Sequence, residues 1–201
     1  MTILLDTPKP RRIFLIRHAK PLVTSIGFVN ATYARQYISD YDAADVEEFV
    51  LTHEAIPYKE IKKVHCSTLV RSQLTAKAIF GDDVQLVIDA NFREFERRIF
   101  SLPFIHLPIK LWLLGARILW FLGFNSSGIE TFKQARQRAS AAAKQLANEA
   151  NQETIAVLVA HGLLNFFIRR ELKRLGWQQT LKEGNSFVSV NAFEKKENTL
   201  L

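Results

Sequence analysis

The chain has 201 residues, of which 48% are hydrophobic and 23% are charged. This make-up is typical of a globular protein with one sizeable core, and it excludes a disordered chain. The single cysteine, Cys66, excludes an internal disulfide. A formal net charge of +7 favours anionic partners, namely phosphorylated small molecules, anionic lipid surfaces or nucleic acid. The basic residues form no long run, so no nucleic-acid partner is expected.

The first twelve residues hold only a brief apolar run, Ile3-Leu4-Leu5. This run is too short for the core of a signal peptide, so we expect a cytoplasmic protein. No group of cysteines and histidines has the spacing of zinc ligands, so no metal site is predicted. We expect one domain over residues 1–201.

The first predicted element is residues 13–16, four apolar residues that lead directly into Arg17 and His18. An uninterrupted apolar run indicates a buried strand of a parallel sheet. Ligands of open α/β sheets bind at the carboxyl ends of such strands. An arginine can bind phosphate oxygens with its fork of donors, and an imidazole can act as a nucleophile. The end of this strand is therefore a candidate phosphoryl site.

The next stretches are predicted as a loop over 24–30, a helix over 32–41 and the start of a second helix over 45–51, whose acidic residues suit a first turn. Beyond them, residues 61–66 are predicted as a strand. The helix that follows has Ser67 or Thr68 as its cap.

Arg71 then lies in the first turn of that helix, at the same edge of the sheet as Arg17, where both can bind one anion. Residues 84–88 are predicted as a further short strand. Glu94 and Glu96 are two positions apart, so in a helix or a strand they point to different sides. We expect at most one of them to face a given site.

Residues 99–124 are the most apolar stretch of the chain. Their uninterrupted apolar pieces are shorter than the roughly 20 residues of a transmembrane helix. We predict a helical insertion that packs over the sheet, with residues 99–127 forming a lid. The alternative is an interfacial helix in weak contact with a membrane surface, because Trp112 and Trp120 flank an apolar stripe that carries basic residues.

The last part of the chain returns to alternating helices and strands. A long helix is predicted from 128 to 150, because its alanine, glutamine, lysine and arginine content favours helix. The apolar strand 154–160 ends in His161 and is followed by a helix over 163–175. A last strand over 186–193 is expected at an edge of the sheet, and the remaining tail is expected to be frayed.

Four motifs occur in one order, namely Arg17-His18, Ser67-Thr68-Leu69-Val70-Arg71-Ser72, Phe92-Arg93-Glu94 and Ala160-His161-Gly162. The arrangement resembles the histidine phosphatase superfamily, the phosphoglycerate-mutase-like enzymes. That family has a strand ending in Arg-His-Gly, a helix start of the form Ser-x-Leu-x-Arg-Ser-x-x-Thr-Ala, a Leu-x-Glu region and a strand ending in His-Gly. Gly128-Ile129-Glu130-Thr131 is similar to its Gly-x-Glu-Ser segment. The resemblance implies an α/β fold, a three-layer α/β/α sandwich with a mostly parallel central sheet and, here, a helical apolar insertion.

The resemblance also implies the roles of the site residues. His18 is the expected nucleophile, and Arg17, Arg71 and His161 form the phosphate pocket, with His161 counted among the catalytic residues as well. Glu94 is the expected proton donor to the leaving oxygen and later the base for water. This chemistry needs no metal or organic cofactor.

Some positions depart from the family pattern. Glu96 is a competing choice for the acid, and we favour Glu94. Thr24 stands where many members have asparagine, so it is the expected fourth phosphate-binding residue, with a weaker or different hydrogen bond. Ala19 replaces the usual glycine, and Lys20 adds a positive charge that we expect near the pocket.

The function that these residues predict is a metal-independent phosphatase, which hydrolyses phosphate monoesters of small molecules through a phosphohistidine. The alternatives are a phosphotransferase of the phosphoglycerate-mutase type and a catalytically silent module that binds a membrane surface or a partner. A protein phosphohistidine phosphatase is a third option, but small members of that type tend to lack the acid that Glu94 supplies here.

Overall fold

A computed structural model describes residues 9–24, 27–102 and 104–195. Within these ranges the α-helices are α1 (Ala31–Ala43), α2 (Val70–Phe80), α3 (Ile109–Phe121), α4 (Phe132–Glu153) and α5 (Gly162–Arg174). The strands there are β1 (Arg11–Arg17), β2 (Phe28–Val29), β3 (Lys63–Cys66), β4 (Gln85–Ile88), β5 (Leu107–Pro108), β6 (Ile155–Ala160), β7 (Gln178–Lys182) and β8 (Val190–Lys195). The predicted tail from residue 196 onward lies outside the described residues.

The described residues form a three-layer α/β/α sandwich around a six-stranded sheet of order β4-β3-β6-β1-β8-β7. The first four strands of that order are parallel, and β8 runs antiparallel to both its neighbours. Successive side chains of a strand point to opposite faces. Ile13 and Leu15 therefore pack with α4 and α5, whereas Phe14 and Ile16 pack on the other face, with α2. The predicted fold class is confirmed.

The last strand begins later than predicted and is not an edge strand. It covers Val190–Lys195 and lies between β1 and β7, with its first four residues buried. The edge position belongs to β7, which the sequence did not predict. Strand β7 reads Gln-Gln-Thr-Leu-Lys and is only half-buried on one side, so it carries none of the apolar signal that marks a central strand.

The helix predicted to start within 45–51 is wrong. That segment is extended, and it pairs with the residues just after β1 through one isolated bridge, between Pro21 and Val46. The Leu22 N–H donates to the Asp45 carbonyl at 2.8 Å and the Glu47 N–H donates to the Lys20 carbonyl at 2.7 Å. These backbone groups are taken by long-range pairing and are not available for a helical turn.

The apolar insertion contains the predicted helix, α3, but this helix packs mainly against α1 rather than over the sheet. Trp112 belongs to a separate apolar cluster with Ala34 of α1 and donates its indole N–H to the Val29 carbonyl at 2.8 Å. Trp120 joins the core under α4 and donates to the Glu130 carbonyl at 2.7 Å. Both indoles are buried, so they do not belong to the exposed face of this helix. No helix among the described residues is long and apolar enough to cross a membrane.

Candidate active site

The carboxyl ends of three parallel strands bring the predicted residues together. Arg17 is the last residue of β1, with His18 directly after it, and His161 follows the last residue of β6. Arg17 pairs in register with Ala160, and Cys66 at the end of β3 pairs with Val159, so the strands end at one level. Arg71 is in the first turn of α2, which follows β3. A cavity of about 160 Å³ opens at this edge.

The start of α2 differs in one detail from the prediction. Its N-cap residue is Leu69, and no side chain caps the helix. Ser67 instead accepts from the Leu69 N–H at 3.1 Å, and Ser72 accepts from the Ser67 N–H at 3.0 Å. Both serines therefore fix the turn that leads into the helix, and this turn sets the position of Arg71.

The His18 ring is held in one tautomer. Its Nδ1 lies 2.6 Å from the carbonyl oxygen of Ala19, to which only an N–H can donate. The N–H of Ala19 donates in turn to Thr75 Oγ1 at 2.9 Å, which fixes this carbonyl. With the proton on Nδ1, the lone pair is on Nε2, which accepts from Arg71 Nε at 3.2 Å. Nε2 is therefore the ring atom that has a lone pair for nucleophilic attack, and it lies beside a cation that can bind a phosphoryl oxygen.

Burial lowers the pKa of His18 to about 3, against a smaller opposing effect of the Ala19 carbonyl, and the charges of Arg71 and Arg17 lower it further. His161 is fully buried, and burial together with the neighbouring His18 and arginines lowers its pKa well below the usual value. The two rings meet edge to face with centroids 5.0 Å apart. Both imidazoles are therefore neutral at neutral pH, which is the form in which a histidine can attack phosphorus.

The low pKa of His18 makes a prediction about stability. Between pH 6.5 and about 3 the unfolded chain binds a proton on this histidine and the folded chain does not. The free energy of unfolding should therefore fall as the pH is lowered, by up to about 1.4 kcal/mol per pH unit from this residue. Urea unfolding between pH 7 and 5 should show a shallower pH dependence for His18→Asn, which cannot be protonated. Equal slopes for the two proteins would contradict the prediction.

Two arginines line the cavity together with His18. Arg71 is almost fully buried, and its Nη1 donates to the Tyr41 carbonyl and to Asp42 Oδ1, both at 3.0 Å. The Arg17 guanidinium lies 3.9 Å from the ring centroid of Phe187. Each guanidinium is held by groups other than the ligand, so a phosphate would meet donors that are already in place.

A close approach explains the glycine after His161. The Arg17 side chain crosses the start of α5, where a Cβ on Gly162 would lie 3.3 Å from Arg17 Nε. This is tighter than most side-chain contacts, so glycine leaves the arginine room to reach the cavity. The His-Gly motif thus has a steric reason as well as a chemical one.

Glu94 lines the cavity and is fixed at the N-terminus of α5. Its carboxylate accepts from the N–H groups of Leu163 at 3.4 Å and Leu164 at 3.3 Å, and from Phe95 at 2.9 Å. A carboxylate is favoured there by the unpaired N–H groups of the helix. The side chain is thus held in the wall of the cavity that His18 also lines, where a carboxyl group can exchange a proton with a bound ligand.

Glu96 lines the same cavity, so the expectation that at most one of the two glutamates faces the site is wrong. Residues 93–100 form neither helix nor strand. The rule that side chains two positions apart point to different sides holds only in those elements, so it does not apply here. Glu96 also accepts from the Glu130 N–H at 3.4 Å. Of the two, only Glu94 has a carboxylate that accepts from the start of α5, the helix that begins just after His161.

Comparison with known proteins agrees with this geometry. The model of the histidine phosphatase superfamily (branch 1) matches residues 13–200. The chain belongs to this superfamily. No curated protein sequence matches the chain.

Solved structures of the superfamily show the same fold. Phosphoglycerate mutase from Bacillus anthracis str. Sterne is 13% identical, with a TM-score of 0.57, and the match covers 94% of this chain and 89% of that one. A mycobacterial glucosyl-3-phosphoglycerate phosphatase is 18% identical, with a TM-score of 0.53 and 90% of each chain covered. The ecdysone phosphate phosphatase of Bombix mori is 13% identical, with a TM-score of 0.52, and the match covers 90% of this chain and 88% of that one. Similarity at this level of identity concerns the fold.

One positioning residue of the site, Arg138, was not predicted. Arg138 of α4 makes a forked pair with Glu130 and donates to the carbonyls of Asn91 at 2.9 Å and Arg93 at 2.7 Å. It therefore holds the irregular segment just before Glu94. The available signal was Glu130, which lies in the segment that resembles the Gly-x-Glu-Ser motif.

A second unpredicted arginine holds the other end of that segment. Arg117 of α3 is buried and donates to the carbonyls of Phe95 at 2.9 Å and Glu96 at 3.2 Å. Burial lowers its pKa to about 10, so it remains charged at neutral pH. The insertion thus contributes directly to the position of both glutamates. The only feature of the sequence that indicated this role was a basic residue within an apolar stretch.

Helices α1 and α3 contribute apolar and aromatic side chains to the cavity that His18 lines. These are Tyr37, Ile38 and Tyr41 of α1 and Leu113 of α3, and Leu69 joins them from the start of α2. None of these residues was predicted. The helix α1 carries no motif, and only its packing against α3 turns these side chains toward the site.

Three predicted residues do not line the cavity. His161 is fully buried with its ring against that of His18, and it is not among the lining residues. Thr24 is exposed and is not among the residues that line it. Lys20 is also exposed and makes an ion pair with Glu47 at 2.6 Å, so its charge is partly neutralised away from the site. Among the described residues, no group of three or more histidine, cysteine, aspartate or glutamate side chains could hold a metal ion.

Proposed function

We propose that this chain is a phosphatase that hydrolyses phosphate monoesters through a phosphohistidine on His18, without a metal ion. The observation that carries the proposal is the His18 ring itself, which is neutral, held through Nδ1 and in contact with Arg71 through Nε2. Membership of the superfamily and its phosphatase and mutase structures support a reaction on phosphate esters.

The first step forms a bond from His18 Nε2 to phosphorus, while the bond from phosphorus to the ester oxygen breaks. Arg17 and Arg71 bind the phosphoryl oxygens, on which negative charge is spread in the transition state. His161 provides a neutral ring beside them. Glu94, in its protonated form, gives its proton to the departing alkoxide, which leaves as an alcohol.

The second step returns the enzyme to its starting state. Glu94, now a carboxylate, takes a proton from a water molecule, whose oxygen bonds to phosphorus as the bond to Nε2 breaks. Inorganic phosphate leaves, and His18 is again neutral. The same carboxyl group serves as acid and then as base. The N–H groups at the start of α5 hold it in place and favour the carboxylate form that the second step needs.

The walls of the cavity suggest the kind of alcohol that the substrate carries. We propose that the single domain uses residues 99–127 as a lid, with Leu113 as the part that faces the cavity. Together with Tyr37, Ile38 and Tyr41 this surface suits an alcohol with an apolar or bulky portion. Thr24 would contribute to phosphate binding only if its loop moved toward the site.

Turnover of an aryl phosphate in the presence of a chelator tests the proposal. We expect release of inorganic phosphate without added metal, and a phosphoenzyme that survives a quench in base but is lost in acid, as a phosphorus–nitrogen bond is. Addition of an alcohol acceptor distinguishes the alternative, because a mutase-type enzyme would pass the phosphoryl group to the acceptor and release little phosphate. A strict requirement for a divalent metal, or no turnover at all, would contradict the proposal.

A further inference from the structure

The outer face of α3 is an exposed apolar surface. Leu111, Leu114, Ile118 and Phe121 are all exposed, and their spacing of three or four residues places them on one side of the helix. The opposite side is buried. Further exposed apolar residues extend the surface beyond both ends of the helix, namely Leu102, Phe104, Ile105, Leu122 and Phe124. We call these nine residues the α3 surface.

The concentration of these side chains is unusual for a protein of this size. Nine of the fifteen large apolar side chains that are exposed in the described part of the chain belong to the α3 surface. Phe104 is 98% exposed and Phe124 is 80% exposed. Single exposed apolar residues are common, but four on one helix face with five more close to them in the chain mark a surface that contacts another molecule or a membrane.

The charged residues within this part of the sequence are all positive. From Arg97 to Ile129 the sequence contains no aspartate or glutamate, whereas it contains Arg97, Arg98, Lys110 and Arg117. Lys110 is exposed beside Leu111, at the start of α3.

Basic residues also lie near the C-terminal end of α3. Arg35, Arg97 and Arg98 line one groove together with Phe124. Arg97 and Arg98 are exposed, so positive charge is available at both ends of the helix. Such a fringe suits an anionic partner.

We propose that the α3 surface docks on an anionic lipid bilayer, with α3 lying flat in the interface. An apolar helix face enters the boundary between headgroups and acyl chains, and cations beside it bind anionic headgroups. A second copy of the chain suits the surface less well, because pairing two such faces would oppose their positive fringes. The proposal extends the function beyond chemistry at His18 and does not depend on it.

Flotation of the full chain with vesicles tests this proposal. The probes are phosphatidylcholine vesicles with and without a minority of phosphatidylglycerol, at low and at physiological salt. We expect binding to the vesicles that contain phosphatidylglycerol, weakened by salt. Leu114→Glu/Ile118→Glu should reduce binding by about tenfold or more, because it places two carboxylates in the apolar face.

A matched control separates the surface from net charge. Leu22→Glu/Val50→Glu makes the same change at two exposed apolar positions elsewhere, and it should bind nearly as wild type does. Unfolding temperatures check that both variants remain folded. Equal loss in both variants, or no binding by wild type at low salt, would overturn the proposal. So would a wild-type dimer in sedimentation equilibrium that Leu114→Glu/Ile118→Glu converts to a monomer, because the surface would then be an interface between copies.

Discussion

Replacement of His18 by alanine is expected to abolish phosphatase turnover. Nε2 of this residue is the atom that forms the bond to phosphorus in the proposed mechanism, and its neutral state and tautomer are both fixed by the fold. Loss of a covalent nucleophile commonly costs about 10⁴-fold or more in kcat. The measurement is kcat for an aryl phosphate with a chelator present, combined with intact-protein mass spectrometry of the base-quenched enzyme.

The matched control is His53→Ala. His53 is a histidine that contacts Glu183 at 3.0 Å and does not line the cavity, so its removal should leave kcat within about twofold of wild type. His18→Ala should show no phosphoenzyme, and its unfolding at pH 7 should remain cooperative. A folded His18→Ala protein that keeps more than a small fraction of wild-type kcat would show that the phosphoryl group passes through another residue.

The residues at strand ends could be predicted from the sequence, because a physical rule places them. Apolar runs mark β1 and β6, and the register of parallel strands brings Arg17 and His161 to one edge. Arg71 follows from the same rule, since it is in the first turn after β3. At these positions the local sequence marks the strand end, and the parallel sheet then determines where the residue lies.

The two glutamates show where this reasoning stops. Glu94 and Glu96 lie in a segment without regular structure, whose path is set by hydrogen bonds from Arg138 and Arg117 to its carbonyls. These arginines are 44 and 23 residues further on than Glu94. The periodicity of the segment contains no information about such distant donors. It therefore predicted wrongly that at most one of the two glutamates faces the site.

The errors in secondary structure have a similar cause. The segment 45–51 has acidic residues that suit a helix start, but pairing with residues 20–22 satisfies its backbone groups. Strand β7 is polar because it is at an edge and borders solvent on one side. In both places tertiary contacts override a weak local preference.

Replacement of Glu94 by glutamine is the second prediction with a large effect. Glutamine keeps the size of the side chain and one oxygen that can accept from the Phe95 and Leu164 N–H groups, as Oε1 does, but it cannot carry the proton. An alkyl phosphate has a poor leaving group and needs that proton, so its kcat should fall by about 10² to 10⁴. An aryl phosphate with a good leaving group forms the phosphoenzyme without much help from an acid. Its second step still lacks a base for water, so phosphohistidine should accumulate. We therefore expect a burst of the released phenol, followed by slow release of phosphate.

Glu96→Gln is the matched control, because Glu96 lines the same cavity two positions away. If Glu94 is the acid, this variant retains most of its activity toward both kinds of ester and accumulates no phosphoenzyme. The reverse pattern, with the burst and the dependence on the leaving group in Glu96→Gln, would transfer the role to Glu96. The comparison separates the two carboxylates by chemistry, since removal of a merely structural carboxylate would lower activity toward alkyl and aryl phosphates alike.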